Sequence, residues 1–339
     1  MSLTEPILRG ERRAIARQIS GIENERPEAR QTLAELYPHT GRAYLVGLTG
    51  APGTGKSTLV NELAKAYRRE NKTVAIISVD PTSPFTGGAI LGDRIRMADL
   101  SGDPGVFVRS MATRGSLGGL ARATASAVKV FDAAGFEIIL IETVGVGQAE
   151  VEIAGLAHSV IVVEAPGLGD EVQAIKAGIL EIADVFVVNK ADREGASRTV
   201  AALTMMLDLT HATLPKTVLH HGLLMDVAGP VKNEPPSDTA AWRPPICPTI
   251  ATQGIGISEV VQALTAHRAH QQASGMLVRR EQERLIFEIQ QMLKERLLAD
   301  LLSKTSPEQV NQVLAQVTER QLDPFSAVEL LVKLVMRDP

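Results

Sequence analysis

An α/β fold with a mostly parallel central sheet and helical extensions at both ends is predicted by three observations. Short Val- and Ile-rich runs alternate with longer amphipathic stretches from Tyr44 onward, a Gly-rich loop joins the first of these runs to a helix, and strand-like texture stops after Ser274. The 339 residues divide accordingly into an N-terminal helical extension over 1–43, a central domain over 44–271 and a C-terminal helical arm over 272–339. Hydrophobic residues at 45% and charged residues at 22% match an ordinary globular chain with a sizeable core.

Taken in order, residues 4–37 place Leu8, Ile15, Ile19, Ile22 and Leu33 at helical intervals among charges, which predicts one or two helices. Strands are expected near 44–49, 73–79, 105–109, 136–142, 159–165, 184–189 and 246–251. Helices are expected near 56–70, 117–134, 170–180, 194–211 and 257–270. The stretch from Lys216 to Pro245, within an irregular segment over 212–245, has no clear periodicity. Beyond it, Arg279 to Ser303 aligns Leu285, Ile289, Met292, Leu293, Leu297 and Leu301 along one side of a long helix. Ser306-Pro307-Glu308-Gln309 and Asp323-Pro324 are starts of two more helices. This tail either folds back on its own chain or pairs with a second copy; the size of the apolar stripe favours a homodimer.

Several classes are excluded by composition. A net charge of -4 and a pI near 6.0 leave no basic footprint for nucleic acid. The lone Cys247 permits neither an intrachain disulfide nor a cysteine-based zinc cluster, and it suits a reducing compartment. No stretch approaches the roughly 18 apolar residues of a membrane span. A cytoplasmic protein without a removable leader is expected.

The chemistry begins at Gly50-Ala51-Pro52-Gly53-Thr54-Gly55-Lys56-Ser57, followed by Thr58, which matches G-x-x-x-x-G-K-[ST] between a strand and a helix. Backbone N–H groups of such a loop converge on phosphate oxygens at the positive end of the helix. Lys56 is expected to contact the β and γ phosphates, and the Ser57 hydroxyl to ligate Mg²⁺. Acidic residues at neighbouring strand ends would complete an oxygen-rich metal site. Asp80 and Glu142 stand there, either as metal partners or as ordinary turn and cap residues. Asp93, after the Gly-rich stretch Ser83–Gly88, either reaches the metal or caps a helix. Gly145 is positioned to offer its N–H to the γ-phosphate, and the Gly145–Gly147 stretch to move when that phosphate leaves.

Asn189-Lys190-Ala191-Asp192 closes a Val-rich strand and matches N-K-x-D. Guanine presents paired N–H donors that one carboxylate accepts together, whereas adenine presents an acceptor, so Asp192 selects guanine. Asn189 is expected to brace the loop and meet the base's acceptor edge, and the Lys190 stem to cover the ring. Ala251, Thr252, Gln253 and Gly254 are placed to supply backbone N–H groups.

The strings S-V-D-P-T-S-P-F-T-G-G-A-I-L-G-D-R-I-R-M (78–97), T-R-G-S-L-G-G-L-A (113–121), E-T-V-G-V-G-Q-A-E (142–150) and N-K-A-D (189–192) together resemble the MeaB/ArgK/MMAA family of P-loop GTPases over roughly residues 44–270. That resemblance implies bound GTP or GDP, and Mg²⁺ held by Ser57, Asp80, Asp93 and Glu142. It implies a chaperone that gates adenosylcobalamin loading and protects or reactivates a cobalamin-dependent acyl-CoA mutase such as methylmalonyl-CoA mutase. It also implies a homodimer through the C-terminal helices and a further switch at Gly169–Lys176. The chain departs from the family pattern after Asp192 and at Ala251–Gly254, where many members carry a Ser-Ala pair.

Hydrolysis would use in-line water attack with Lys56 and Mg²⁺ offsetting developing charge; Gln148 and Asp80 are the candidates to orient the water. A nickel- or zinc-inserting GTPase would be expected to carry a His-rich tract or Cys cluster, against one Cys and a single His220-His221 pair. A protein kinase acting on a transport protein would need a base for a substrate hydroxyl that the sequence does not identify. His158 reads as structural.

Overall fold

The computed structural model describes residues 2–80, 97–100, 102–112, 119–143, 155–167, 181–213 and 241–336. Asp93, Gly145, Gln148, the switch string at Gly169–Lys176, the helix expected over 170–180 and residues 214–240 of the irregular segment lie outside them.

Seven strands form the sheet: β1 (Tyr44–Thr49), β2 (Val74–Asp80), β3 (Val106–Ala112), β4 (Ile138–Thr143), β5 (Ser159–Glu164), β6 (Val185–Asn189) and β7 (Ile246–Thr249). Their order is β3-β2-β4-β1-β5-β6-β7, and every neighbouring pair is parallel. The expected strands are therefore present, and the sheet is wholly parallel. A parallel sheet buries both faces, which is why these strands read as nearly continuous Val and Ile runs instead of alternating with polar residues.

One face is covered by α4 (Lys56–Arg69) and α7 (Ile257–Ala273), whose Leu59, Leu63, Val260 and Leu264 pack on Val46, Ile76, Leu140 and Ile161. The other face carries α5 (Gly119–Ala133) and the N-terminal helices α1 (Thr4–Leu8), α2 (Arg12–Glu23) and α3 (Pro27–Leu36), with Ile15, Ile19 and Leu36 on Phe107, Phe131 and Ile139. Next to it, α6 (Ala196–Thr213) sets Leu203 and Leu207 on Phe186 and Val188. The N-terminal segment forms three helices where one or two were expected. Gly10 and Glu25 take positive φ of 74° and 52°, and Pro27 opens the third helix, so the chain turns twice where a continuous periodicity ran.

A buried polar knot closes the amino-terminal edge of the sheet. The Tyr44 hydroxyl meets Ser159 Oγ at 2.5 Å, Ser159 Oγ meets His267 Nδ1 at 2.6 Å, and His267 Nε2 lies 3.2 Å from Asp184 Oδ1. Arg280 pairs with both Asp184 oxygens at 3.1 and 3.2 Å. Burial, opposed in part by the Asp184 carboxylate, pushes the His267 imidazole down to about 4, and burial pushes the Tyr44 hydroxyl up. His158 accepts the Leu45 N–H at 3.1 Å.

Met1–Arg280 forms one compact unit and Glu281–Pro339 a second. The helix α8 (Met276–Lys304) runs from the first into the second, followed by α9 (Pro307–Thr318) and α10 (Pro324–Met336). Ser306 and Gln309 form the reciprocal cap of α9, and the Asp323 carboxylate accepts the N–H groups of Phe325 and Ser326 at the start of α10. Ile289, Met292, Leu293 and Leu297, members of the apolar stripe, are exposed in the single chain.

Candidate functional site

The loop between β1 and α4 is shaped by contacts that only glycine tolerates. Gly50 has φ 138°, and a Cβ there would stand 2.1 Å from the Val163 carbonyl oxygen. Gly55 has φ 94°, and a Cβ would stand 2.4 Å from Asn189 Nδ2. Ala51, Pro52 and Gly53 arch outward, with Pro52 and Gly53 exposed, while Thr54 turns inward and donates from Oγ1 to the Ala51 carbonyl at 2.9 Å. Gly55 ends the loop as the N-cap of α4, so the first helical N–H groups point into the arch.

Lys56 is buried, and its Nζ donates to the carbonyls of Gly50 at 2.8 Å and Ala51 at 3.1 Å, inside the curve where phosphate oxygens are expected. Thr58, half-buried on the next turn, follows Ser57 in α4. The buried Ser57 donates from Oγ to Glu142 Oε1 at 2.6 Å. A hydroxyl and a carboxylate joined in this way form a hard oxygen pair suited to Mg²⁺, which keeps waters in its remaining positions. Among the described residues no group of three His, Cys, Asp or Glu side chains gathers to hold a metal. Asp80 ends β2 one strand away from Glu142, where its backbone pairs with Ala112.

The guanine motif is tied to the same loop. Asn189, at the end of β6 and 2% exposed, donates from Nδ2 to the Thr54 carbonyl at 2.8 Å and accepts at Oδ1 from Thr249 Oγ1 and the Ala251 N–H, both at 3.1 Å. One amide therefore clamps the phosphate loop, the end of β7 and the turn after it. Lys190, with φ 57°, extends to the Gly53 carbonyl at 2.7 Å. Asp192 is exposed.

Two expectations need correction in this region. The strand expected to run to 251 ends at Thr249, and Ala251–Gln253 make a single 3₁₀ turn instead. Within that turn the Ala251 N–H is committed to Asn189 and the Gln253 N–H to the Ile250 carbonyl at 2.9 Å, so these two donors support the loop and do not face outward to a base. Thr252 and Gln253 themselves are exposed.

Sequence reasoning placed Thr54 in the phosphate loop but not in the clamp, and it passed over the buried Thr249, which completes that clamp, and over Ser78 beside Glu142 with Ser110 one strand beyond. Two Ser residues at the carboxyl ends of otherwise apolar strands were the available signal.

Comparison with known proteins agrees with this geometry. The profile of the family described as methylmalonyl Co-A mutase-associated GTPase MeaB matches residues 15–306. A chain of Pyrococcus abyssi that carries a GTPase name is 44% identical over 98% of this chain and 96% of its own length. The GTPase ArgK of Escherichia coli is 30% identical over 98% and 97%, and the methylmalonic aciduria type A homolog of Mus musculus, a mitochondrial protein, is 32% identical over 86% and 65%. Among solved structures, a LAO/AO transport system kinase superposes with a TM-score of 0.71 at 24% identity, covering 98% of this chain and 96% of its own, a likeness of fold.

Proposed function

The chain belongs to the MeaB family of GTPases, and from that premise we propose that it is a Mg²⁺-dependent timer for an adenosylcobalamin-dependent acyl-CoA mutase. In this reading, hydrolysis gates cofactor loading and protects or reactivates the mutase. The observation that carries it is the family match over residues 15–306, whose description names a mutase-associated GTPase, coinciding with a built phosphate loop.

Each described residue then has a task. The loop N–H groups and Lys56 Nζ draw the phosphates into the arch and offset negative charge as the γ-phosphate departs. Ser57, Asp80 and Glu142, with Asp93, would hold Mg²⁺, whose chemistry is to neutralise the β and γ oxygens. Asn189 keeps the loop in shape, Lys190 covers the base and Asp192 accepts the guanine N–H pair. Gly145 and Gln148 belong to the segment expected to respond to the γ-phosphate. The exposed stripe of Ile289, Met292, Leu293 and Leu297 supports a homodimer through the C-terminal helices, because an unpartnered apolar stripe of this length favours burial. Among the described residues no helix is long and apolar enough to cross a membrane, which is compatible with a cytoplasmic setting.

The reading is tested by mixing the protein with an adenosylcobalamin-dependent acyl-CoA mutase in the presence of GDP, of a non-hydrolysable GTP analogue, or of neither, and measuring complex formation by light scattering. A nucleotide-dependent complex is expected. A nickel- or zinc-dependent complex with a different enzyme, or transfer of phosphate to protein, would replace this reading with one of its rivals.

A further inference from the structure

The sheet face that carries the Ser57–Glu142 pair changes character at its carboxyl end. On this face Val74 and Ile76 of β2, Val106 and Val108 of β3, and Ile138 and Leu140 of β4 all join the core beneath α4. Two residues further along each strand the apolar rows give way to Ser78, Ser110 and Glu142. Strand register sets Ser78 between Ser110 on one neighbouring strand and Glu142 on the other. Side chains two apart on one strand share a face, so all three lie on the α4 side.

Ser78 is 1% exposed and Ser110 9%, and neither hydroxyl has a hydrogen-bond partner among the described residues. Leaving a buried hydroxyl unpaired is unfavourable, so such a group beside a candidate metal carboxylate needs an explanation. Adjacent strands stand about 4.8 Å apart, which brings a Ser hydroxyl within one rotamer change of a neighbouring carboxylate oxygen. Carboxylates that serve a cation are oriented by donors outside the metal's own shell.

We propose that Ser78 is a positioning residue of the magnesium site, its hydroxyl donating to the Glu142 carboxylate when nucleotide and cation are bound. This inference rests on the Mg²⁺-dependent GTPase reading. Ser78 touches no reacting atom; it acts by fixing the rotamer of Glu142. Ser110 stands two strands from Glu142, about 10 Å away, and is out of reach.

The test uses the full chain, with Mn²⁺ as the cation probe and GDP as the nucleotide, and follows free Mn²⁺ by electron paramagnetic resonance. Ser78→Ala is expected to weaken GDP-dependent Mn²⁺ binding by about 10-fold to 100-fold. Its GDP affinity in EDTA should be unchanged, and its nucleotide-free melting temperature unchanged or raised, because the deleted hydroxyl had no partner there. Ser78→Thr, which keeps the hydroxyl, should restore Mn²⁺ affinity, and Ser110→Ala should match wild type. The proposal is overturned by wild-type Mn²⁺ affinity in Ser78→Ala, by an equal loss in Ser110→Ala, or by a folded Ser78→Thr that binds no better than Ser78→Ala. Failure of Ser78→Ala to fold would contradict an unpartnered hydroxyl, and Ser78→Cys, close in volume, then carries the Mn²⁺ measurement. Absence of GDP-dependent Mn²⁺ binding in wild type would instead sink the underlying metal reading.

Discussion

Asn189→Ala removes the clamp between the phosphate loop and the guanine loop, and its cost follows from three bonds. Nδ2 to the Thr54 carbonyl at 2.8 Å, and Oδ1 from Thr249 Oγ1 and the Ala251 N–H at 3.1 Å, are all lost at a site 2% exposed. At about 0.5–1.5 kcal/mol each, the expected destabilisation at this buried site is about 2–4 kcal/mol. Urea unfolding in EDTA, without nucleotide, reads this directly, since bound ligand would otherwise add its own stabilisation. Asn189→Asp separates the two halves of the clamp: it keeps the acceptor for Thr249 and Ala251 but sets a carboxylate oxygen against the Thr54 carbonyl. Stability of Asn189→Ala within about 0.5 kcal/mol of wild type would refute the clamp, because surface-like substitutions fall in that range.

Gly50→Ala places a Cβ 2.1 Å from the Val163 carbonyl at φ 138°, so β1 and β5 must separate; a loss of about 3–5 kcal/mol is expected in thermal melting. Asp192→Ala, at an exposed position, should leave melting of the nucleotide-free protein unchanged while erasing about 10³-fold or more of the preference for GTP over ATP in competition binding. The folded His267 imidazole sits at about 4 against an ordinary value near 6.5, so the unfolded chain binds its proton first. Stability from this site is therefore full above about pH 6.5 and declines as pH falls toward 4, by roughly 1 kcal/mol per unit; urea midpoints measured across that window should flatten in His267→Gln.

Local signals carried most of the fold. Buried parallel strands must be apolar on both faces, so Tyr44–Thr49, Ile138–Thr143 and Ser159–Glu164 stand out from any amphipathic helix, and the capping residues at Ser306 and Asp323 mark helix starts by chemistry confined to four residues. The loop at Gly50–Ser57 was legible for the same reason. What stayed hidden depends on contacts between distant segments. Asn189 reads as a brace and a base contact within its own motif, and only the packing of β6 against the phosphate loop and β7 shows that the groups it ties together are Thr54, Thr249 and Ala251. Likewise Tyr44, Ser159, Asp184, His267 and Arg280 are scattered along the chain and meet only once the strand order is set. Ser78 looked like an ordinary strand residue until register put it beside Glu142.

GTP hydrolysis at the Lys56–Ser57 loop is proposed to keep time for a cobalamin enzyme. Phosphate release from GTP, measured with Mg²⁺ in the presence and absence of an adenosylcobalamin-dependent acyl-CoA mutase, tests it most directly. Slow turnover by the protein alone and a clear acceleration by the mutase, lost in Glu142→Gln, is the predicted result; equal rates with and without every such mutase tried would contradict it.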